Sequence, residues 1–260
     1  MSKKAILVAS FGTTYIDTRK ATIDAIENDI KDAFPDFEIR RAFTSSIVRK
    51  RILKNEGIDT DDMDRALDRL KEDGFDEVYV SSLHIISGSE YSKVTHSVAR
   101  HRNDFKMIKT AKPLLYSKPD YDETIEAIEK SLPQLSDGEA VLFMGHGSEH
   151  HANAAYVMLE YLLKKNKSTE HVYMGTVEGY PELEDIMEDI EDKGYKKLYL
   201  LPFMIVAGDH ATNDMASDEE DSWKTLLEEK GYQTESILKG LGQYEDIRNI
   251  FIERLNSIME

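Results

Sequence analysis

The chain carries a copy of part of itself. Met63-Asp64-Arg65-Ala66-Leu67 leads through Gly74 to Glu77-Val78-Tyr79-Val80 and on to Ile85-Ile86-Ser87-Gly88. Leu183 leads in the same way through Gly194 to Lys197-Leu198-Tyr199-Leu200 and on to Ile205-Val206-Ala207-Gly208, an offset of 183 − 63 = 120 residues. Earlier in each half, Ala5-Ile6-Leu7 through Phe11-Gly12-Thr13 matches Ala140-Val141-Leu142 through His146-Gly147-Ser148, an offset of 140 − 5 = 135. The difference of 15 residues is an insertion in the first half, and Thr44 to Ile58, an extra basic helix, is its natural place. A repeat this long constrains the fold strongly, because each copy must bury the same pattern of faces. Two similar halves with a cleft between them are expected. The boundary is expected near 113–135, where Pro113, Pro119 and Pro133 cluster, which gives halves 1–125 and 126–260.

Within each half, short apolar runs alternate with amphipathic stretches. Strands are predicted at 4–9, 37–43, 77–81, 106–110, 139–144, 171–176, 196–202 and 233–238. Helices are predicted at about 17–33, 46–55, 60–73, 89–102, 120–132, 151–166, 181–193, 213–230 and 243–258. Strands alternating with helices give βαβ units and parallel sheets, so the fold class is α/β. Pro181 fits a first helical position, where a missing N–H costs nothing. Gly74 and Gly194 fit helix ends, where a left-handed residue is needed.

Composition narrows the function. A formal net charge of −17 lacks the basic footprint that nucleic acid requires and is repelled by anionic membranes. With no cysteine, disulfides, thiolate catalysis and iron–sulfur clusters are excluded. No apolar run reaches the roughly 18 residues of a membrane span, and the apolar run after Lys3-Lys4 is too short for a signal peptide. The cytoplasm is the expected compartment. No P-loop, GxGxxG, GxSxG or HExxH pattern occurs, so nucleotide-driven chemistry is not expected.

Three residues stand out by spacing. His146 follows strand 139–144, Glu178 follows strand 171–176 and His210 follows strand 196–202, with 178 − 146 = 32 and 210 − 178 = 32. About 30 residues is one βαβ repeat, so these side chains are expected at the carboxyl edge of one parallel sheet, where open α/β sheets bind ligands. Two imidazoles and a carboxylate suit cobalt, nickel, iron or zinc and leave a coordination position open. In the first half, Ser10, Phe11, His84 and Glu90 lie at matching strand ends and are expected to face a ligand. Arg49 and Arg51 on the inserted helix, and His151 beyond the His146 loop, are expected to meet ligand carboxylates. His150 shares the position of His151 and is equally well an exposed helix-start residue. His96 and His101 are expected to be solvated, and His171 and the Asp218–Asp221 run structural.

The segments LVASFGTTY (7–15), AFTSSIVRKRI (42–52), SSLHIISGSEY (81–91), MGHGSEHHANAAY (144–156), GTVEGYP (175–181) and LPFMIVAGDHATNDMA (201–216) resemble the anaerobic cobalt chelatases, the class II sirohydrochlorin cobaltochelatases. The resemblance spans both halves. It implies a chelatase fold of two α/β domains and ATP-independent insertion of Co²⁺ into sirohydrochlorin on the anaerobic route to cobalamin. It also implies metal binding by His146, Glu178 and His210, the set that spacing singles out. His146 and Glu178 are the expected catalytic residues. No cofactor is expected beyond the substrate metal, with Ni²⁺ or Fe²⁺ as alternatives to Co²⁺. Precorrin-2 is an alternative substrate, and homo-oligomer formation stays open. A metal-dependent hydrolase and a non-catalytic metal or tetrapyrrole carrier are the competing readings.

Overall fold

The computed structural model describes residues 2–260, which form two compact units. Unit 1 comprises residues up to Tyr116 together with Glu245–Glu260, and unit 2 is the continuous segment Ser117–Tyr244.

Unit 1 contains a four-stranded parallel sheet of β1 (Lys4–Ser10), β2 (Glu38–Phe43), β3 (Glu77–Ser82) and β4 (Met107–Thr110), in the order β2-β1-β3-β4. Its helices are α1 (Ile16–Arg19), which continues through a π-helical stretch (Lys20–Asp24) into α2 (Ala25–Ala33), then α3 (Ser46–Glu56), α4 (Met63–Glu72) and α5 (Ser89–Arg100). Strand β1 is buried from Ala5 to Ser10, which is why it reads as an unbroken apolar run. One core cluster packs Leu7, Val78 and Val80 against Leu67 and Leu70 of α4 and Val94 of α5. The inserted helix α3 is present as expected, with Ser45 accepting from Val48 N at 3.3 Å and Gly57 closing it at φ 70°.

Unit 2 repeats the plan. Its parallel sheet contains β5 (Glu139–Gly145), β6 (Val172–Thr176), β7 (Lys197–Phe203) and β8 (Gln233–Ser236), in the order β6-β5-β7-β8. Its helices are α6 (Lys118–Glu129), α7 (Ala154–Lys165), α8 (Leu183–Ile190) and α9 (Trp223–Glu229). The chain's single tryptophan, Trp223, packs over β6. A Cβ added to Gly175 would stand 2.8 Å from its ring and 2.6 Å from Ile186 Cδ1, so glycine here permits close helix–sheet packing.

All eight predicted strands are present, and the two sheets share one strand order, as a duplication requires. Four expectations change. The boundary at 125/126 falls inside α6, and the chain divides at Ser117, the N-cap of that helix. The last helix, α10 (Glu245–Met259), belongs to unit 1, where it packs on β3 and α2. The helix expected over 213–230 is a π-helical turn (Ala211–Met215), a turn-rich segment and then α9, capped by Ser222. Pro181 follows a cis peptide bond and precedes the helix, whose N-cap is Glu182.

Candidate metal centre

Strands β5, β6 and β7 end level. Gly145 stands opposite Thr176 on one side and Phe203 on the other. His146 is one residue past its strand, Glu178 two past, and His210 seven past, so equal sequence spacing hides an unequal reach. A loop from Met204 brings His210 back to the edge, where it opens the turn Ala211–Met215. That loop is fastened from behind: Leu241 N donates to Met204 O at 2.8 Å and Gly242 N to Ile205 O at 3.0 Å.

The other two loops are tied to each other. Val177 N donates to Gly145 O at 3.0 Å and Glu178 N to His146 O at 2.8 Å. Gly147 has φ +81°, and a Cβ there would lie 2.6 Å from Gly179 N and 2.7 Å from the Glu178 carbonyl carbon. Only glycine allows this approach. Asn153 braces the pair. Its Oδ1 accepts from Ser148 N at 2.9 Å, and its Nδ2 donates to Tyr180 O at 2.6 Å.

This framework converges three side chains. One ligand atom from each of His146, Glu178 and His210 lies within 4.8 Å of the others. Glu178 sits between the imidazoles, 3.5 Å from His146 Nδ1 and 3.8 Å from His210 Nε2. Ligands held about 2.1 Å from an ion at tetrahedral angles stand roughly 3.4 Å apart, so small side-chain movements close this set on one ion. The side chains are 42%, 56% and 29% exposed respectively, which leaves the centre open to an incoming ligand. No other group of three or more histidine or acidic side chains among the described residues converges this way.

Two hydrogen bonds set the imidazoles. His210 Nδ1–H donates to Asp214 Oδ2 at 2.7 Å, and His146 Nδ1–H donates to Gly147 O at 3.1 Å. In the neutral His210 ring this places the lone pair on Nε2, the nitrogen 3.8 Å from Glu178. Asp214 is four residues from His210 on the same helical turn, and sequence reasoning missed it together with Asn153. The spacing in Asp209-His210-Ala211-Thr212-Asn213-Asp214 is the signal that could have found it.

The remaining expected site residues lie elsewhere in the chain. His151 is exposed, and its ring centroid is 4.0 Å from that of His150. Ser10, Phe11, His84, Glu90, Arg49 and Arg51 all belong to unit 1. Phe11 is exposed and Arg51 is exposed on α3. Arg49 bridges to Asp62 at 3.1 Å, and Glu90 pairs with Lys93 at 2.5 Å. Ser10 is buried. His84 was expected to face a ligand, but it is buried and bonded through Nδ1 to Ser82 Oγ at 2.8 Å. Burial lowers its pKa to about 4, so it is neutral near pH 7 despite the opposing pull of Glu90. His101 is also buried rather than solvated, with Nε2 3.2 Å from Asp68. No described helix is long and apolar enough to cross a membrane.

The chain is similar to known proteins along nearly its whole length. Residues 4–260 match the family described as cobalt chelatase (CbiK). A sirohydrochlorin cobaltochelatase of Salmonella typhimurium is 40% identical over 257 residues, covering 99% of this chain and 97% of that protein. The sirohydrochlorin cobaltochelatase CbiKC of Nitratidesulfovibrio vulgaris is 34% identical over 260 residues, covering 99% and 91%. Among solved structures, SirB from Bacillus subtilis with Fe³⁺ superposes with a TM-score of 0.64 at 13% identity, covering 98% of this chain and 95% of that one. CbiX, the terminal enzyme of sirohaem biosynthesis in denitrifying bacteria, superposes at 0.58 and 17% identity, covering 98% and 100%. At such identities these two speak for the fold alone. The match over nearly the whole sequence places this chain in the cobalt chelatase (CbiK) family.

Proposed function

We propose that this chain inserts Co²⁺ into sirohydrochlorin, without ATP, and that His146, Glu178 and His210 hold the ion before transfer. The observation that carries the reading is the convergence of two imidazoles and one carboxylate at an open sheet edge. The names of the full-length relatives supply the substrate and the metal. Such a ligand set also accepts Ni²⁺ and Fe²⁺, so selectivity rests on metal supply and geometry as well as on affinity. Precorrin-2 differs from sirohydrochlorin only in ring oxidation state and is kept as a second substrate. The cytoplasm is kept as the compartment.

Insertion breaks two pyrrole N–H bonds, forms metal–nitrogen bonds and releases two protons. A histidine cannot hold the metal and take a proton at the same nitrogen. As the ion passes to the ring, the groups it leaves become bases at the point where protons appear. The imidazole nitrogen that the ion vacates on His146 takes one, and Glu178 relays the other to solvent from its exposed position. Asp214 keeps the His210 ring oriented throughout. On unit 1, Phe11 and Arg51 are assigned to the substrate: an exposed ring for the macrocycle and an exposed guanidinium for a peripheral carboxylate.

The test is an absorbance assay with sirohydrochlorin and Co²⁺, Ni²⁺ or Fe²⁺ in parallel. Co²⁺ should be inserted, and His146→Ala should slow insertion by about two orders of magnitude or more with the fold intact. Near-normal turnover in that variant removes His146 from the mechanism. Stoichiometric binding without turnover would favour a carrier.

A further inference from the structure

His146 stands between two glycines, Gly145 and Gly147. Glycine leaves the backbone freer than any other residue, so the loop by itself does not fix where the imidazole points. Something outside the loop has to hold it, and helix α7 lies over it. Asn153 precedes α7 and Tyr156 is its third residue, so the two are three apart and neighbours on one face. Asn153 spans both ligand loops, accepting from Ser148 N at 2.9 Å and donating to Tyr180 O at 2.6 Å.

Tyr156 reaches the residues on either side of His146. Its side chain is buried, and its ring packs on Gly145, the last residue of β5: a Cβ added there would stand 2.7 Å from Tyr156 Cε1. Its phenol oxygen takes a hydrogen bond from the Gly147 backbone. Gly147 is also where the Glu178 loop closes in, since an added Cβ would lie 2.7 Å from the Glu178 carbonyl carbon. Holding Gly147 therefore holds both loops. A buried hydroxyl costs free energy unless it is bonded. Phe143 and Phe203, packed edge to face at 5.5 Å on β5 and β7, fill the core beside it with no polar atom at all. At position 156 the hydroxyl is present, and its bond falls on the loop that carries His146.

We propose that Tyr156 is a positioning residue for the metal centre: with Asn153 it clamps the Gly145–Ser148 loop from α7 and so fixes the separation between the ligand atoms of His146 and Glu178. The inference rests on His146, Glu178 and His210 being the groups that hold Co²⁺. The clamp supplies the order that the two glycines leave out, so that the ligands meet the ion already in place.

The experiment titrates the full chain with Co²⁺ and follows the visible d–d absorption of the bound ion, which reports its coordination geometry. Parent, His146→Ala, Tyr156→Phe and Tyr173→Phe are compared, with thermal melts and insertion kinetics on the same samples. Tyr156→Phe keeps the ring and removes only the hydroxyl. Tyr173→Phe is the control, because that phenol is equally buried but its hydroxyl lies 3.2 Å from Tyr195 Oη, away from the ligand loops. Tyr156→Phe should shift the Co²⁺ bands, weaken Co²⁺ binding by about tenfold and lower kcat with KM for sirohydrochlorin unchanged. Tyr173→Phe should keep the parent's bands and affinity whatever its melting temperature. The inference is overturned if Tyr156→Phe shows the parent's bands and affinity, or if Tyr173→Phe alters both as much, since the loss would then follow stability and not position. A parent that binds no Co²⁺, or His146→Ala that binds it like the parent, overturns the ligand assignment and this inference with it. Binding lost in His146→Ala but unchanged in Tyr156→Phe overturns this inference alone.

Discussion

A metal ligand is only as good as the group behind it, and at the proposed ligand His210 that group is Asp214, 2.7 Å from Nδ1. The carboxylate fixes the ring and raises the basicity of the opposite nitrogen. Losing such a partner typically weakens metal affinity by about 10–100-fold. Asp214→Ala should therefore weaken Co²⁺ binding by about that factor, with Asp214→Asn falling between it and the parent because the amide oxygen still accepts from Nδ1. Competition with a chelator of known affinity measures this, and circular dichroism checks the fold. If Asp214→Ala bound Co²⁺ like the parent, the pair would be structural only. The convergence of His146, Glu178 and His210 was legible because strand ends recur once per βα unit, which makes 32-residue spacing meaningful. Asp214 and Asn153 were not, since their roles depend on where a side chain points within one turn. His84 was misjudged for a related reason: a strand-end position fixes an edge, while burial depends on what packs over it.

At the scale of elements, the centre depends on two loops pressed together at Gly147 and Gly179. Gly194 offers a control, because its φ of +75° is equally left-handed while a Cβ there would meet nothing within 4 Å. Gly194→Ala should cost only the strain of a left-handed alanine, about 1–2 kcal/mol, and leave Co²⁺ affinity alone. Gly147→Ala adds backbone collisions at 2.6 and 2.7 Å. It should cost more stability and lower Co²⁺ affinity by about tenfold or more, since Glu178 must move. Thermal melts and Co²⁺ titrations of the two variants decide it; equal losses in both would show that the loop contact does not position the ligands. Strands were readable throughout because both faces of each sheet's inner strands are covered, so they appear as apolar runs such as Ala5–Ala9 and Ala140–Met144. The stretch 213–230 was not. Its polar Asp218–Asp221 run carries helical composition without a buried stripe, and the chain turns there before Ser222 restarts a helix.

At the scale of the whole molecule, the duplication is legible but the closing of the chain is not. Sequence order assigns the last helix to the second half, yet α10 packs on β3 and α2 of unit 1. Its apolar face, Ile247, Ile250, Phe251 and Leu255, is at most 3% exposed. Arg248 Nε reaches Asp29 at 2.6 Å, and Lys109 Nζ donates to Ile258 O at 2.6 Å. Amphipathic periodicity announces that a helix must be covered without saying by which sheet, and only the three-dimensional return of the chain decides. Four buried apolar side chains contribute on the order of 6–12 kcal/mol at about 1.5–3 kcal/mol each. That is comparable with the whole stability of a typical domain, about 5–15 kcal/mol. Ending the chain after Tyr244 should therefore open unit 1 and spare unit 2, which is one continuous segment with its own core. In hydrogen exchange, amides of β1 and β3 should lose protection while those of β5 and β7 keep it. Because His146, Glu178 and His210 all lie in unit 2, Co²⁺ binding should survive the truncation and insertion should not. Protection lost evenly across both sheets would mean that the two units do not hold their stability separately.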